Sequence, residues 1–170
     1  MKTRQTLPTA RDILPTRVYA VRPEMPAAAA ALALARQGYS GAPVVDQDAR
    51  LVGLLSEVDV VRALASAAFH DGPQQTVDSI MSKEVVTIGP DADLFELTTT
   101  FAREGVRRLP VVAGPALLGM ITRRDLMTAL AEVCAERCAA EQDSTLDAIA
   151  KLEGIHNPFP HKHRRRGGAD

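Results

Sequence analysis

The sequence predicts an α/β (α+β) protein built from two copies of one β-α-β-β-α unit and followed by a short C-terminal helix. Two observations lead to this prediction. Residues 10–67 reappear as residues 77–133, with matching residue types in register. Within both copies, apolar residues recur at the spacing of short strands and amphipathic helices, in the same order. A unit of under about sixty residues is marginal alone, so we expect the copies to pack about a pseudo-twofold axis.

The repeat is carried by prolines, glycines and polar residues that recur at a constant separation. The offset is 67 residues in the first part of each copy and 66 after one residue is lost in a turn. The matched pairs include Pro23 with Pro90, Gly38 with Gly105, Pro43 with Pro110, Gly53 with Gly119, Ser56 with Thr122 and Asp59 with Asp125.

Each copy is predicted to begin with a short extended segment, at 18–21 and at 85–88, which is rich in β-branched residues and ends before a proline. A helix follows in each. In copy two, Asp91 or Asp93 can cap the helix start and Gly105 supplies a left-handed stop. Gly38 stands at the equivalent stop in copy one.

Two brief apolar runs come next in each copy, 42–45 with 51–55 and 109–112 with 117–121, and we interpret them as hairpins. A last helix is expected to start near Glu57 in copy one and near Arg123 in copy two. After the repeats, Ser144 and Gly154 predict the cap and the stop of a separate short helix over 143–154. The expected organisation is an N-terminal extension (1–9), repeat one (10–70), a linker (71–76), repeat two (77–140) and a C-terminal helix with a basic tail (141–170).

Composition favours a soluble, folded chain without a strong global charge. The 170 residues include 20 basic and 21 acidic side chains, so no overall field recruits nucleic acid or an anionic membrane. The Ala-rich run 26–35 starts too late for a secretory signal and is too short to span a bilayer. Cys134 and Cys138 are expected to act as small apolar residues on a packed helix face. These features predict a reducing, cytoplasmic location without membrane association.

Catalytic motifs are missing from the sequence. Three of the four histidines lie in the tail, and His70 lies between the copies, so no core histidine can serve as a buried general base. There is no Gly-rich phosphate loop, no H-E-x-x-H and no paired C-x-x-C. We therefore expect neither an enzyme nor a metal site.

The motifs S-G-A-P-V-V (40–45) and L-V-G-L-L-S-x-x-D (51–59) in copy one, with R-R-L-P-V-V (107–112) and L-G-M-I-T-x-x-D (118–125) in copy two, resemble the CBS domain. Two in tandem resemble a Bateman module, and the likeness covers residues 10–133. The resemblance implies a non-catalytic regulatory pair that binds AMP, ADP, ATP or S-adenosylmethionine in clefts between the repeats, commonly as a homodimer. Output would pass to an effector protein that the sequence does not identify.

Ser56-x-x-Asp59 and Thr122-x-x-Asp125 each follow a predicted strand at a helix start, and two interpretations remain open. In the first, the pair is a capping box that only stabilises the helix N-terminus. In the second, the exposed helix N–H groups favour a phosphate while the carboxylate accepts both ribose hydroxyls. Thr9-x-x-Asp12 shows the same spacing outside such a turn. Spacing therefore does not decide between them.

Charge ranks the two predicted clefts. Glu57 adds a carboxylate beside Ser56, whereas Arg123 and Arg124 follow Thr122 and are candidate phosphate contacts, with Arg107 and Arg108 as additional candidates. The stretches 38–43 and 105–110 match the base-contacting segment of the family, and their prolines equally fit an edge strand. Tyr39 can stack on a base or simply pack. Copy one has Ala20 where copy two keeps the hydroxyl of Thr87.

This comparison favours one cleft as the ligand site over the other. The predicted ligand contacts are Thr87, Val106, Arg107, Arg108, Pro110, Thr122, Arg123, Arg124 and Asp125, and the weaker cleft is assigned Tyr39, Pro43, Ser56 and Asp59. The leading functional hypothesis is an adenosine-ligand sensor that signals to a partner protein. The alternatives are a ligand-free dimerisation scaffold and, less favoured, a nucleic-acid accessory working through the basic tail at 161–166.

Overall fold

A computed structural model describes residues 7–15, 17–69 and 72–153, with side chains as far as residue 139. The chain divides into two compact units, Met1–Leu130 and Ala131–Asp170, and both hairpins lie in the first. The helices are α1 Ala10–Ile13, α2 Ala27–Gln37, α3 Glu57–Phe69, α4 Val77–Ile80, α5 Leu94–Glu104 and α6 Arg123–Glu153. The strands are β1 Gly41–Val45, β2 Leu51–Ser56, β3 Arg108–Ala113 and β4 Ala116–Thr122.

The ends of α2 and α5 are set by local chemistry, as predicted. Gly38 and Gly105 adopt left-handed backbone conformations, with φ of 69° and 63°, directly after the two helices. The choice between two aspartates is resolved in favour of Asp93, whose Oδ1 accepts a hydrogen bond from the Glu96 amide at 2.9 Å. Asp91 instead lies 3.7 Å from Arg11 in an exposed ion pair.

Both predicted hairpins are present as antiparallel pairs, β1 with β2 and β3 with β4. The predicted first strands are much shorter than expected. In the described chain, only Val21 and Ile88 pair there, each through an isolated parallel bridge, to Val44 and Val111. Pro43 takes part in the first of these bridges, because its carbonyl accepts a hydrogen bond from the Val21 amide.

Two four-residue helices, α1 and α4, were not predicted, and each lies against the other repeat. The amide of Ala10 donates to the Ala92 carbonyl at 2.7 Å, which attaches α1 to repeat two. In the equivalent contact, the amide of Val77 donates to the Met25 carbonyl at 2.9 Å, which attaches α4 to repeat one. The start of each repeat is therefore exchanged onto its neighbour.

Backbone hydrogen bonds across the centre confirm the expected pseudo-twofold arrangement of the repeats. The Leu51 amide donates to the Pro115 carbonyl at 3.0 Å, and the Leu117 amide donates to the Ala49 carbonyl at 3.2 Å. These bonds join equivalent positions at the start of β2 and of β4. Both hairpins contribute fully buried side chains: Leu55, Val44, Leu109, Val111, Ile121, Pro43 and Pro110.

Close packing also follows the symmetry. A Cβ atom on Gly53 would lie 2.4 Å from Met81 Sδ, and one on Gly119 would lie 2.5 Å from Leu14 Cδ2. A side chain at either glycine would have to displace Met81 or Leu14, because the segment leading into each repeat crosses a strand of the other repeat there.

The prediction of a separate helix that starts at 143–144 is wrong. α6 runs without interruption from Arg123 to Glu153, so Ser144 lies inside it and not at a cap. No glycine or proline stands between Met120 and Glu153, so nothing breaks the helix there. Gly154 and the basic tail, including 161–166, lie outside the described residues, as does His70 of the predicted hinge.

The expectation that both cysteines pack is also wrong. Cys134 and Cys138 are free and exposed on α6. Their spacing of four residues places them on one helix face, but the described chain does not cover that face. Among the described helices, none has an apolar stretch long enough to cross a membrane.

Removal of the Asp93 side chain tests whether it caps α5. Asp93→Ala is expected to lower the free energy of unfolding by about 1 kcal/mol, because the Glu96 amide loses its acceptor. Asp91→Ala is the control and should change stability by less than about 0.5 kcal/mol, since its ion pair is solvent-exposed. Urea unfolding of both variants measures the difference, and equal effects would contradict the assignment of Asp93 as the cap.

Candidate functional site

Two clefts lie between the repeats, and the pseudo-twofold axis relates them. The first, which we name the Thr122 cleft, has a volume of about 190 Å³. It is lined by Pro15, Arg17, Val18, Tyr19, Tyr39, Gly41, Met120, Thr122 and Asp125. The second, the Ser56 cleft, has a volume of about 330 Å³. It is lined by Ser40, Leu54, Ser56, Glu57, Val58, Gly105, Val106, Arg107 and Arg108.

Each cleft combines the two repeats in a way that the sequence comparison did not predict. Tyr39, which was assigned to the weaker cleft, lies in the Thr122 cleft. The segment 106–108, which was assigned with Thr122 and Asp125, lines the Ser56 cleft instead. The grouping by repeat is therefore wrong, because Tyr39 and Gly41 of repeat one line the cleft at the strand-to-helix turn of repeat two.

The two hydroxyl and carboxylate pairs form reciprocal capping boxes. In repeat two, Asp125 Oδ2 accepts from the Thr122 amide at 2.7 Å and from Thr122 Oγ1 at 2.6 Å. In repeat one, Asp59 Oδ2 accepts from the amide and the hydroxyl of Ser56 in the same way. The capping interpretation is thus realised in both repeats. All of these bonds end on Oδ2, so the capping box does not use Oδ1 of either carboxylate.

The backbone makes the two clefts different. The alternation of antiparallel pairing leaves the peptide groups of Leu54 and of its equivalent Met120 pointing away from their own hairpins. Leu54 uses both groups in hydrogen bonds with Ser82, at 2.9 and 3.0 Å. At the equivalent place, Met120 faces Pro15, which has no N–H to donate. Within the described chain, no backbone group pairs with the outward N–H and C=O of Met120.

Aromatic and basic side chains further distinguish the Thr122 cleft. Tyr19 and Tyr39 stack there, with ring centroids 5.9 Å apart and an interplanar angle of 20°. Arg17, which is exposed, lines the same cleft. Arg17, Tyr19 and Met120 were not among the predicted site residues. Comparison at the repeat offset could have singled out the first two, since repeat two has Glu84 and Val86 where repeat one has Arg17 and Tyr19.

The predicted phosphate contacts are dispersed. Arg123 donates through Nε to the Val106 carbonyl at 2.7 Å and through Nη2 to the Gly105 carbonyl at 2.9 Å, so its guanidinium fastens the end of α5. Arg124 is exposed and lines neither cleft. Arg107 and Arg108 are the guanidinium groups of the Ser56 cleft.

Arg108 is half-buried and interacts with repeat one. Its Nη2 donates to the carbonyl and to the hydroxyl of Ser40, at 2.8 and 2.7 Å. Burial lowers the pKa of Arg108, the negative charge of Glu57 raises it, and the positive charge of Arg107 lowers it. Arg108 remains a cation, because an arginine side chain does not deprotonate in proteins.

The remaining predicted contacts lie outside both clefts. The side chains of Pro43 and Pro110 are fully buried beneath the hairpins. Their carbonyl oxygens already accept hydrogen bonds from Val21 and Ile88. Thr87 is exposed and lines neither cleft. Ligand contact by these residues remains a prediction.

Comparison with known proteins places this geometry in a family. The model of the CBS domain matches the chain twice, over residues 10–66 and 77–132. An uncharacterized 17.7 kDa protein of Acidianus ambivalens is 32% identical over 123 residues, which are 72% of this chain and 73% of that protein. Other relatives are longer. An uncharacterized 33.4 kDa protein of Thermofilum pendens is 36% identical over 95 residues, 56% of this chain but only 30% of that protein.

Solved structures agree in fold. A crystal structure of CBSX2 in complex with AMP superimposes with a TM-score of 0.65 at 23% identity, covering 74% of this chain and 97% of that one. The CBS domain pair of protein MJ0100, in complex with 5'-methylthioadenosine and S-adenosyl-L-methionine, gives 0.65 at 22% identity, with 75% and 98% covered. The CBS domain of a CBS domain containing membrane protein from Sphaerobacter thermophilus gives 0.60 at 30% identity, with 71% and 86% covered. With two family matches over more than half of its residues, the chain belongs to the CBS domain family and carries two CBS domains in tandem.

Proposed function

We propose that this chain is a non-catalytic sensor whose Thr122 cleft binds an adenosine-containing ligand and whose bound state is read by a partner protein. One observation carries the proposal. In the described chain, the peptide N–H and C=O of Met120 face this cleft without a backbone partner, whereas Ser82 occupies the equivalent groups of Leu54. A peptide donor and acceptor side by side suit the edge of an adenine ring.

The other cleft residues fit the remaining parts of such a ligand. The exposed face of Tyr39 offers a stacking surface for the base. Asp125 keeps Oδ1 outside its capping box, so the carboxylate can accept a ribose hydroxyl without losing the cap. Arg17 can pair with a phosphate or a carboxylate. AMP, ADP, ATP and S-adenosylmethionine all satisfy this chemistry, and AMP or S-adenosyl-L-methionine accompanies related folds.

Binding between two repeats supplies a route for signalling. A ligand that touches both repeats changes the balance between their arrangements by its difference in affinity for each. We propose that a homodimer in the cytoplasm presents this change to an effector protein. None of the described helices is long and apolar enough to cross a membrane. Nucleic acid is not a proposed partner.

The second candidate function is a dimerisation scaffold with empty clefts. It is favoured by the capping boxes, since Asp59 and Asp125 both have a structural role without any ligand. A scaffold would lose stability on substitution of either aspartate but would respond to no adenosine compound. The two candidates therefore differ in a single measurable property.

A thermal-shift titration with AMP, ATP and S-adenosylmethionine tests the sensor. At about one hundred times Kd, a ligand is expected to raise Tm by roughly 5–10 °C, because it stabilises only the folded state. Asp125→Ala should abolish this rise, while Asp59→Ala should keep it. Calorimetry with the same compounds and NADH provides an independent check, and absence of binding in both methods would leave the scaffold.

The same two variants, without ligand, test the capping boxes. Asp59→Ala and Asp125→Ala are each expected to lower the free energy of unfolding by about 1 kcal/mol, because each removes an equivalent set of hydrogen bonds. Urea unfolding gives both values. A much larger loss for one variant would show that its aspartate does more than cap a helix in the free protein.

The homodimer is tested at two equivalent exposed positions. Val61 on α3 and Met127 on α6 occupy the same place in the two repeats and are 63% and 64% exposed. We expect a double variant, Val61→Glu with Met127→Glu, to reduce the mass in solution from two chains to one of 18.2 kDa. Light scattering after gel filtration measures it. Leu118→Glu, on β4, is the control and should remain dimeric; an unchanged double variant would place the interface elsewhere.

A further inference from the structure

Arg108 joins the two repeats where their first long strands begin. It is the first residue of β3, and its Nη2 donates to both oxygens of Ser40, the residue before β1. Ser40 and Arg108 line the Ser56 cleft, whereas Gly41, the next residue, lines the Thr122 cleft. The guanidinium therefore lies at the wall that separates the clefts.

Gly41 makes this position of Arg108 possible. A Cβ atom at residue 41 would lie 1.9 Å from Arg108 Nη1 and 2.3 Å from the Leu55 carbonyl oxygen. Only glycine leaves room for the guanidinium against the backbone. The repeat equivalent of Arg108 is Gly41 itself, so the reciprocal contact cannot form. The connection is made in one direction only.

The carbonyl of Ser40 has a second donor, which links the contact to a helix. The amide of Glu57, at the start of α3, donates to the same oxygen at 3.1 Å. The equivalent bond in the other repeat runs from the Arg123 amide to the Arg107 carbonyl at 3.3 Å. In the described chain, no guanidinium donates to that second carbonyl. Arg108 thus acts on one of two otherwise matched bonds.

We infer that Arg108 is a displaceable latch, whose guanidinium leaves Ser40 for an anionic group in the Ser56 cleft and thereby loosens the Gly41 wall of the Thr122 cleft. An anion can compete with Ser40 for the Arg108 guanidinium, because Ser40 offers two neutral oxygens whereas a phosphate group offers charged ones. Arg107 lines the same cleft and adds to the attraction for an anion, while Glu57 opposes it.

The latch would couple the two clefts without direct contact between their ligands. An anion in the Ser56 cleft changes the position of Ser40, and with it the wall on which the Thr122 ligand rests. The consequence for ligand affinity depends on the proposed sensor function. The latch itself does not, since it concerns contacts present in the free protein.

Amide hydrogen exchange by NMR tests the latch with inorganic pyrophosphate as the probe. In the unmodified protein, millimolar pyrophosphate is expected to speed exchange of the Glu57 amide about fivefold, because Ser40, which carries the acceptor carbonyl, loses the two Arg108 hydrogen bonds that hold it in place. The Arg123 amide is the internal control and should not change. Sodium chloride at the same ionic strength should leave both amides unaffected.

Two variants complete the test. Arg108→Ala should speed Glu57 exchange about fivefold without pyrophosphate and remove the response to it. Arg107→Ala, the matched control from the same cleft, should keep slow exchange in the absence of the anion. If pyrophosphate leaves Glu57 exchange unchanged, or if Arg108→Ala has no effect, the latch is refuted. Loss of adenosine binding in the thermal-shift assay would refute the sensor alone and would not alter this result.

Discussion

The fold depends on the backbone bridge that joins the starts of β2 and β4 across the pseudo-twofold axis. A two-stranded hairpin is marginal by itself in water. The bonds from Leu51 to Pro115 and from Leu117 to Ala49 place the hairpins side by side, and the exchanged turns α1 and α4 then cover each repeat with the start of the other. Because every repeat needs its neighbour in two ways, a change at the interface between them is a change in the core.

Small departures from this symmetry create the chemical differences between the clefts. The pseudo-twofold symmetry gives the two clefts equivalent strand-to-helix turns, equivalent capping boxes and equivalent crossing segments. Leu54 pairs with Ser82, whereas Met120, opposite Pro15, has no backbone partner among the described residues, and Gly41 stands in one cleft where Arg108 stands in the other. One cleft is therefore lined by two tyrosines and by a peptide group without a backbone partner in the described ranges, and the other is lined by Arg107 and Arg108. The protein has one frame but two chemically distinct surfaces for a ligand.

The sequence was sufficient to predict those helix ends that are determined by neighbouring residues. Gly38, Gly105 and Asp93 determine helix ends through their own backbone and side-chain chemistry, so those ends could be predicted. The membership of the clefts could not, because the repeat offset shows which residues are equivalent but not which repeat each segment faces. Tyr39 and Arg107 were for this reason placed in the wrong clefts. Ser144 fits a cap by pattern, but only a break in the preceding helix would have made it one.

The exchange of segments also determines what a ligand can do. Since the walls of each cleft come from both repeats, any molecule that fills one cleft contacts both, and its binding free energy depends on their relative position. A difference of about 1.4 kcal/mol between two positions changes affinity tenfold. By linkage, the ligand shifts the balance between those positions by the same factor. A pair of repeats with exchanged starts is therefore suited to regulation even when its carboxylates only cap helices. Binding is coupled to the relative position of the repeats because both repeats form the walls of each cleft.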